Sequence, residues 1–240
     1  MKRKFLFALY QTPRGKLLQQ MEAQYLKRSI TSSCKQKQLQ IGGLGWESGF
    51  VDCSLYQNYL ILDAKGMGCD SALRVTARAY NLPIRSESMD LVILPHLLEF
   101  DARRFQTMRE VNRVLKPGGE LIVLHVNPFN FSVCCQLLWD RKLADSWRAH
   151  FIPRGRLVDW LKLMNYELLS TTEFGLDAYK TNLGDFRFSA TSFLSIAYAV
   201  KALKRQYALI PFTPVRQTAV RSAMAGGEFK LMPQAEDVHG

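Results

Sequence analysis

Two short, almost wholly apolar segments, 89–94 (MDLVIL) and 120–126 (ELIVLHV), enclose a stretch with helical periodicity over 101–115. Apolar runs of this length without polar alternation are typical of parallel strands buried on both faces. Asp101 is a suitable N-cap for the helix, and the sequence 116–119 (KPGG) ends it with proline and glycine. The pattern therefore predicts a β-α-β unit with a right-handed crossover.

The segments outside this unit continue the alternation of strands and helices. Further strands are expected at 38–42, 59–63, 71–77, 166–174 and 192–203. Amphipathic helices are expected at 13–29 and 154–164. The architecture that accommodates such a chain is an open α/β sheet with helices on both faces.

Composition divides the chain into three parts. Residues 1–36 are expected to form a basic, helical N-terminal extension, and residues 37–204 the α/β domain. Residues 205–240 mix proline, glycine, alanine and charge, which predicts a flexible tail. Within the α/β domain, 129–152 is a candidate cap segment and 175–191 is expected to be a wide loop or lid.

The bulk properties restrict the class of protein. Hydrophobic residues make up 48% of the 240, enough for a sizeable core. The chain has no run of about 18 apolar residues, and its start lacks the apolar length of a secretion signal. Five cysteines without a Cys-x-x-Cys spacing argue against a disulfide framework or a zinc site. We therefore expect a cytoplasmic protein without a transmembrane segment or a metal centre.

Positive charge is concentrated near the N-terminus. Residues 1–40 contain nine Lys and Arg residues and only one acid, Glu22, and so carry most of the net charge of +11. Such an arm would attract an anionic partner: RNA, a membrane surface or an acidic protein. The alternative is a solvated amphipathic helix, because no aromatic platform or nucleic-acid motif accompanies the charge.

Residues 81–125 resemble the second half of class I, S-adenosylmethionine-dependent methyltransferases that act on small molecules. The matching parts are 82–84 (LPI), 88–90 (SMD), the apolar strand 91–94 and 113–119 (RVLKPGG). The later sequence 127–129 (NPF) is similar to a bacterial, methyltransferase type 11-like subgroup. The resemblance implies a Rossmann-like, seven-stranded, mostly parallel sheet with an antiparallel last hairpin. It also implies S-adenosylmethionine as the cofactor.

In this family the first strand is followed by acid-x-Gly-x-Gly-x-Gly, a turn that lets the methionine part of the cofactor approach the backbone. The corresponding sequence is 40–46 (QIGGLGW), which makes Gly42, Gly43 and Gly45 the candidate cofactor-binding glycines. Gln40 stands at the position of the acid, and bulky side chains stand at the second and third glycine positions. A side chain at such a position intrudes on the ligand or shifts the turn. The turn is therefore either a working cofactor loop or a structural element.

The resemblance implies further cofactor contacts at the next strand ends. Asp63, at the end of 59–63 (YLILD), matches the acid that binds the ribose hydroxyls, with an ordinary turn aspartate as the alternative. Arg78 stands where the family commonly has an Asp beside the adenine; a guanidinium cannot accept a hydrogen bond, but it can stack on a base or fill the pocket. Leu94 and His96 lie where the family's chain often faces the transferred methyl group.

His96 is the candidate catalytic residue, as a general base or as a residue that orients the substrate. The alternative is a hydrogen-bonded histidine that shapes the loop. Glu99 either lines the same mouth or faces solvent, and His125, within a predicted buried strand, is expected to be structural. Methyl transfer from a sulfonium needs mainly alignment and the exclusion of water, so no acid–base dyad is required.

The leading hypothesis is therefore an S-adenosylmethionine-dependent methyltransferase that acts on a small molecule. The altered cofactor positions leave a second hypothesis open, a catalytically inactive member of the fold that serves as a binding or scaffold protein. The basic arm leaves a third open, association with RNA or with a membrane surface.

Overall fold

The computed structural model describes residues 4–30, 37–51, 58–65, 72–130, 152–175, 179–183 and 195–205. Nearly all of the predicted cap segment, 129–152, and of the predicted tail, 205–240, lies outside these residues.

The described residues form four α-helices, one short 3-10 helix (Glu47–Gly49) and eight strands. The helices are α1 (Lys4–Gln11), α2 (Pro13–Ile30), α3 (Arg104–Val114) and α4 (Arg154–Leu163). The strands are β1 (Gln38–Ile41), β2 (Tyr59–Asp63), β3 (Leu73–Thr76), β4 (Met89–Pro95), β5 (Leu115–Val126), β6 (Tyr166–Phe174), β7 (Tyr179–Leu183) and β8 (Ala197–Lys204). None of these helices is long and apolar enough to cross a bilayer.

All eight strands belong to one sheet with the order β3-β2-β1-β4-β5-β8-β6-β7. The first five strands in this order are parallel, whereas β8, β6 and β7 pair antiparallel. The predicted Rossmann-like fold is thus confirmed, including the antiparallel pairing of the two late strands. The prediction of a loop or lid over 175–191 was wrong at β7, because this short polar segment (YKTNL) pairs with β6 at the sheet edge.

The two faces of the sheet are covered by different helices, as the predicted architecture requires. One hydrophobic cluster joins α1 and α2 to side chains of the sheet such as Ile61, Ile93 and Ile122. The other joins α3 and α4 to the opposite face, which includes Val92 and Val123. Side chains of neighbouring positions thus alternate between the clusters, since successive residues of a strand point to opposite faces. The predicted N-terminal extension therefore contributes to the core.

The sequence 116–119 (KPGG), which was predicted to end the central helix, forms a bulge near the start of the strand that follows it. Helix α3 ends at Val114, and the pairing with β4 shifts between Met89 and Leu91, which leaves the four residues 116–119 outside the regular register. Gly118 has a φ of 75°, a backbone conformation that glycine adopts without strain. At the other end of the helix, the prediction that Asp101 is the N-cap was wrong: Arg103 occupies that position without a side-chain cap bond, and the Asp101 carboxylate accepts the Arg103 N–H at 2.8 Å in the preceding turn.

A tight corner joins α1 to α2. The Thr12 hydroxyl donates to the Leu9 carbonyl at 2.7 Å and accepts the Gly15 N–H at 3.0 Å. Gly15 is buried, and a Cβ placed there would lie 1.8 Å from the Leu9 carbonyl oxygen. Glycine is therefore required at this corner because the backbone of α1 occupies the space of a side chain.

Substituting Gly15→Ala should lower the free energy of unfolding by about 1–3 kcal/mol, because the backbone of α1 must move to make room. Chemical denaturation of the purified chain measures this. Gly155→Ala in α4 is the matched control, since a Cβ there meets no atom within 4 Å. The control should leave stability unchanged or raise it by up to about 1 kcal/mol. Equal stability of the two variants would contradict the close contact at the corner.

Candidate active site

The carboxyl ends of β1, β2, β3 and β4 lie on one edge of the sheet, because these strands are parallel. We call this edge the rim. The predicted site residues that follow these strands, or end them, are therefore brought to the rim from distant parts of the sequence. Ligands of open α/β sheets bind outside this edge.

The glycine turn after β1 is fixed to the neighbouring strand. The Gly42 N–H donates to the Leu62 carbonyl at 2.7 Å, and the Gly43 N–H donates to Asp63 Oδ2 at 3.0 Å. Gly42 and Gly45 have φ values of 99° and 84°, which other residues rarely adopt. The structure thus joins the predicted cofactor glycines and the predicted ribose-binding acid in one hydrogen-bonded unit.

A carboxylate that the sequence analysis missed lies within this turn. Glu47 is fully buried and accepts the N–H of Leu44 at 2.5 Å and the N–H of Gly45 at 3.0 Å. Gln40, at the position of the family's acid, donates to Glu47 Oε1 at 3.0 Å and accepts a hydrogen bond from the Tyr59 hydroxyl. The turn therefore retains a carboxylate, displaced along the chain and bonded to backbone N–H groups. The only sequence signal was an acid in a glycine-rich stretch.

The two bulky replacements in the turn do not fill the space beside it. Leu44 is 2% exposed and packs in the cluster beneath α1 and α2. Trp46 packs against the same cluster, with its ring edge-on to Tyr10 at a centroid distance of 5.8 Å. A Cβ added at Gly45 would meet no atom within 4 Å. The turn therefore presents open space at a glycine and directs its large side chains into the core.

The polar groups at the ends of β2 and β3 are accessible. Asp63 is partly exposed, and its second oxygen accepts the Lys65 N–H at 2.7 Å, as in an aspartate turn. Arg78 is exposed and donates to the Tyr80 hydroxyl at 2.7 Å. The guanidinium of Arg103 lies 4.4 Å from the centre of the same tyrosine ring. Arg78 thus belongs to a surface group of cations around one ring and does not plug the rim.

A buried network of acids and histidines occupies the rim at the ends of β4 and β5. We call it the rim cluster; its members are Tyr10, Glu22, His96, Glu99 and His125. His96 Nε2 lies 2.9 Å from Glu22 Oε1, and the Tyr10 hydroxyl donates to Glu22 Oε2 at 2.6 Å. His96 Nδ1 lies 3.4 Å from Glu99 Oε1, which also accepts His125 Nδ1–H at 2.9 Å. The cluster connects α1 and α2 to the rim.

His96 is fully buried and faces a carboxylate oxygen with each ring nitrogen. Burial alone would lower the pKa of the imidazole, but the charges of Glu22 and Glu99 reverse this and raise it from 6.5 to about 9. His96 is therefore an imidazolium at neutral pH and has no lone pair with which to accept a proton. Its φ of 48° places the loop in the left-handed region.

Glu99 neither lines an open mouth nor faces solvent, the two alternatives for this residue. It is 2% exposed, and its Oε1 accepts the Val126 N–H in addition to the bonds from the histidines. Burial would raise the pKa of the carboxyl, but His96 and His125 lower it from 4.5 to about 2. Leu94 is fully buried in the cluster beneath α3 and α4, so only its backbone reaches the rim.

Two members of the rim cluster were missed by the sequence analysis, Tyr10 and Glu22. Glu22 comes from α2, 74 positions before its partner His96. The available signal was that Glu22 is the sole acid among residues 1–40, in a helix whose other charges are basic. A lone acid on such a helix carries no information about a partner so far along the chain.

Part of the chain is similar in sequence to methyltransferases. Residues 51–123 match the model of the methyltransferase domain family. The uncharacterized protein YafS of Escherichia coli is 26% identical over 229 residues, which covers 93% of this chain and 92% of that protein. The ubiquinone/menaquinone biosynthesis C-methyltransferase UbiE of Salmonella arizonae is 27% identical over 136 residues, or 55% of this chain and 52% of that protein.

Solved structures of similar fold include S-adenosylmethionine-dependent methyltransferases from Thermotoga maritima and Archaeoglobus fulgidus. Each is 15% identical to this chain and has a TM-score of 0.58. The first match covers 79% of this chain and 89% of that structure, and the second covers 82% and 99%. The chain thus shares the fold of these S-adenosylmethionine-dependent methyltransferases, and its residues 51–123 match a methyltransferase domain.

Three observations are consistent with the binding of an adenosyl cofactor at the rim. Space is open beside Gly45, the partly exposed Asp63 carboxylate adjoins the glycine turn, and the bulky residues of the turn point into the core. Among the described residues, the departures from the family pattern therefore rebuild the turn without placing a side chain in the space beside Gly45.

The raised pKa of His96 predicts a pH-dependent stability. Because the pKa is higher in the folded protein than in the unfolded chain, the stabilisation is complete below about pH 6.5 and disappears as the pH rises through about 9. We expect the free energy of unfolding to fall by about 3 kcal/mol over this window, measured by urea denaturation at fixed ionic strength.

His96→Asn should abolish most of this decline, and asparagine tolerates the left-handed backbone at this position. Asp159→Ala, an exposed substitution on α4, should keep the wild-type pH profile. A His96→Asn protein with the same decline as wild type would show that another group titrates.

Proposed function

We propose that this chain is a class I methyltransferase that binds S-adenosylmethionine at the rim and transfers its methyl group to a small molecule. The observation that carries the proposal is the hydrogen bond between Gly43 and Asp63, which joins the glycine turn of β1 to the acid of β2. These are the two strand ends at which an adenosyl ligand of this fold is held. The family match over residues 51–123 supports the same activity.

Each part of the cofactor would contact a different group of residues at the rim. The Asp63 carboxylate would accept hydrogen bonds from the ribose hydroxyls, and the backbone of Gly42, Gly43 and Gly45 would adjoin the methionine part. Arg78 would lie beside the adenine, where a guanidinium can stack on the base. The backbone of Leu94 would border the reacting centre at the end of β4. When bound, the cofactor supplies an electrophilic methyl group on a positively charged sulfur.

The rim cluster suits a cationic ligand. Two carboxylates, Glu22 and Glu99, share one imidazolium, His96, so negative charge is in excess where β4 ends. In a buried site such charge acts more strongly than in water. It would favour a sulfonium nearby, while alignment of the methyl group and the acceptor supplies most of the acceleration.

A small-molecule acceptor is supported by the relative UbiE, whose name places it in ubiquinone and menaquinone biosynthesis. That match covers about half of each chain, so it supports the class of acceptor and not its identity.

Isothermal titration calorimetry of the full chain with S-adenosylmethionine and S-adenosylhomocysteine tests the proposal. Wild type should bind both, and Asp63→Ala should weaken binding about 10- to 100-fold, the effect of losing hydrogen bonds to a charged group. Asp159→Ala is the matched control and should bind like wild type. Asp63→Asn, which keeps an acceptor for the Gly43 N–H, separates loss of ribose contacts from loss of the turn.

Absence of heat and of a thermal shift with wild type at millimolar ligand would contradict the proposal and favour the scaffold hypothesis. Unchanged affinity of Asp63→Ala would contradict the ribose assignment alone.

A second function, association with an anionic surface, is favoured by the position of Glu22. Glu22 is the only acid among residues 1–40, and it lies on the buried side of α2. The charged residues on the exposed side of the helix are therefore basic: Arg14, Lys16, Lys27 and Arg28. Leu17, on the same side, is 49% exposed. A basic helix face with an exposed leucine matches the surface of a membrane that contains anionic lipids.

Co-sedimentation with phosphatidylserine-containing vesicles tests this association. We expect binding that falls steeply between 50 and 300 mM salt, because each surface lysine or arginine contributes about 1 kcal/mol. Phosphatidylcholine vesicles should bind little, and Lys16→Glu with Lys27→Glu should abolish binding. No binding to anionic vesicles at low salt would contradict it, and equal binding to single-stranded RNA would indicate a non-specific anion surface.

A further inference from the structure

His125 lies at the carboxyl end of β5, next to the last residue of that strand, and is fully buried. Its Nδ1 is bonded to Glu99 Oε1 at 2.9 Å, and its ring is stacked on Tyr198 at a centroid distance of 5.6 Å. Its Nε2 has no hydrogen-bond partner within the described part of the chain. A buried acceptor left unpaired costs about 1–3 kcal/mol, so such an atom calls for an explanation.

We propose that His125 Nε2 is the general base for the methyl acceptor, and that this acceptor carries a hydroxyl or amino group whose proton Nε2 removes. The proposal rests on the proposed methyltransferase function. Glu99 is the positioning residue, since it acts through the His125 ring.

The tautomer of His125 is set by its partner. A carboxylate accepts hydrogen bonds and does not donate them, so the proton of the neutral ring is on Nδ1, next to Glu99. The lone pair is then on Nε2. The stacked ring of Tyr198, whose hydroxyl donates to the Ile152 carbonyl at 2.7 Å, holds the imidazole in this orientation. A base oriented by a third group is the arrangement that activates nucleophiles in many enzymes.

His125, not His96, is the base at this rim. Both ring nitrogens of His96 face carboxylate oxygens, which makes that ring a cation at neutral pH. The two histidines share Glu99 Oε1. The same carboxylate therefore stabilises the positive charge of His96 and keeps the proton of His125 on Nδ1. The sequence analysis named His96, after β4, as the candidate catalytic residue. We assign the role of general base instead to His125, in the neighbouring strand β5.

The position of His125 suits attack on a methyl group held at the end of β4. Strands β4 and β5 are parallel neighbours, with Pro95 paired to Leu124, so His125 and His96 follow adjacent paired positions. An acceptor that binds over the carboxyl end of β5 would lie beside a cofactor that binds over β1 and β4. Burial of Nε2 keeps bulk water away from the base.

The proposed step is a methyl transfer in which the acceptor also loses a proton. The acceptor oxygen or nitrogen forms a bond to the methyl carbon as the carbon–sulfur bond breaks, and the sulfur retains that electron pair. The proton of the acceptor moves to His125 Nε2, and the imidazolium returns it to solvent after release. Phenols and protonated amines are weak acids, so a base that removes their proton makes the oxygen or nitrogen a better nucleophile. Methyl transfer to a carbon without such a proton would not use this base.

The experiment uses the full chain with two matched pairs of probes: phenol with anisole, and benzylamine with benzyltrimethylammonium. In each pair the methylated partner lacks the transferable proton. With S-adenosylhomocysteine bound, long-range 15N–1H NMR should show an unprotonated His125 Nε2 whose resonance shifts on addition of phenol or benzylamine. The methylated partners should leave the resonance unchanged.

Methyl transfer from radiolabelled S-adenosylmethionine to phenol or benzylamine is the second readout. His125→Asn should lower the rate by about 100-fold or more, the usual contribution of a general base. Its side-chain amide can still donate to Glu99, as Nδ1 does, while the base is gone. S-Adenosylhomocysteine affinity and the free energy of unfolding should stay near wild type. Asp159→Ala should have the wild-type rate, and Glu99→Gln should alter the His125 tautomer signal as well as the rate.

The outcomes separate the two proposals. If wild type does not bind S-adenosylmethionine or S-adenosylhomocysteine, the proposed function fails. If it binds but no donor-bearing probe shifts the Nε2 resonance, the acceptor site is overturned, and Nε2 bonds to water only. A His125→Asn rate within threefold of wild type would equally overturn the assignment of the base.

Discussion

The ion pair between Glu22 and His96 is the interaction on which the arrangement of the rim depends. Both side chains are fully buried, and the two atoms that meet are 2.9 Å apart. Burying either charge alone would be costly, so each residue requires the other. Because Glu22 belongs to α2 and His96 follows β4, the pair attaches the N-terminal helices to the edge of the sheet at which ligands of this fold bind. The helices thus form part of the site as well as of the core.

The sequence predicted the fold well because its signals were local. The apolar strands 89–94 and 120–126, the helix between them and the antiparallel late strands follow from hydrophobic periodicity and chain-stopping residues, and all are present. β7 was missed because a polar segment at a sheet edge has no apolar run and pairs on one side only. Hydrophobic periodicity arises from the burial of one face of an element. An edge strand with few apolar residues therefore gives little such signal.

The site was predicted less completely, for two different reasons. Glu22 and His96 are distant in sequence, and no pattern in one chain relates them. Glu47 is close to the glycine turn, but a family pattern directs attention to the position where an acid is usual, and here that position is Gln40. The predictions for Gly42 and Asp63 located real strand ends on the rim, since turn chemistry is local. Their contacts with a cofactor stay predictions.

The carboxylate within the glycine turn has a consequence for ligand recognition. In a flexible loop, backbone order is acquired only when a partner arrives, and the entropy lost then reduces affinity. Here the N–H groups of Leu44 and Gly45 are already engaged by Glu47, and that of Gly43 by Asp63. The turn is therefore preorganised by bonds within the chain itself. Free and occupied forms should superimpose at this turn, and association should proceed at the rate of encounter without a folding step in between.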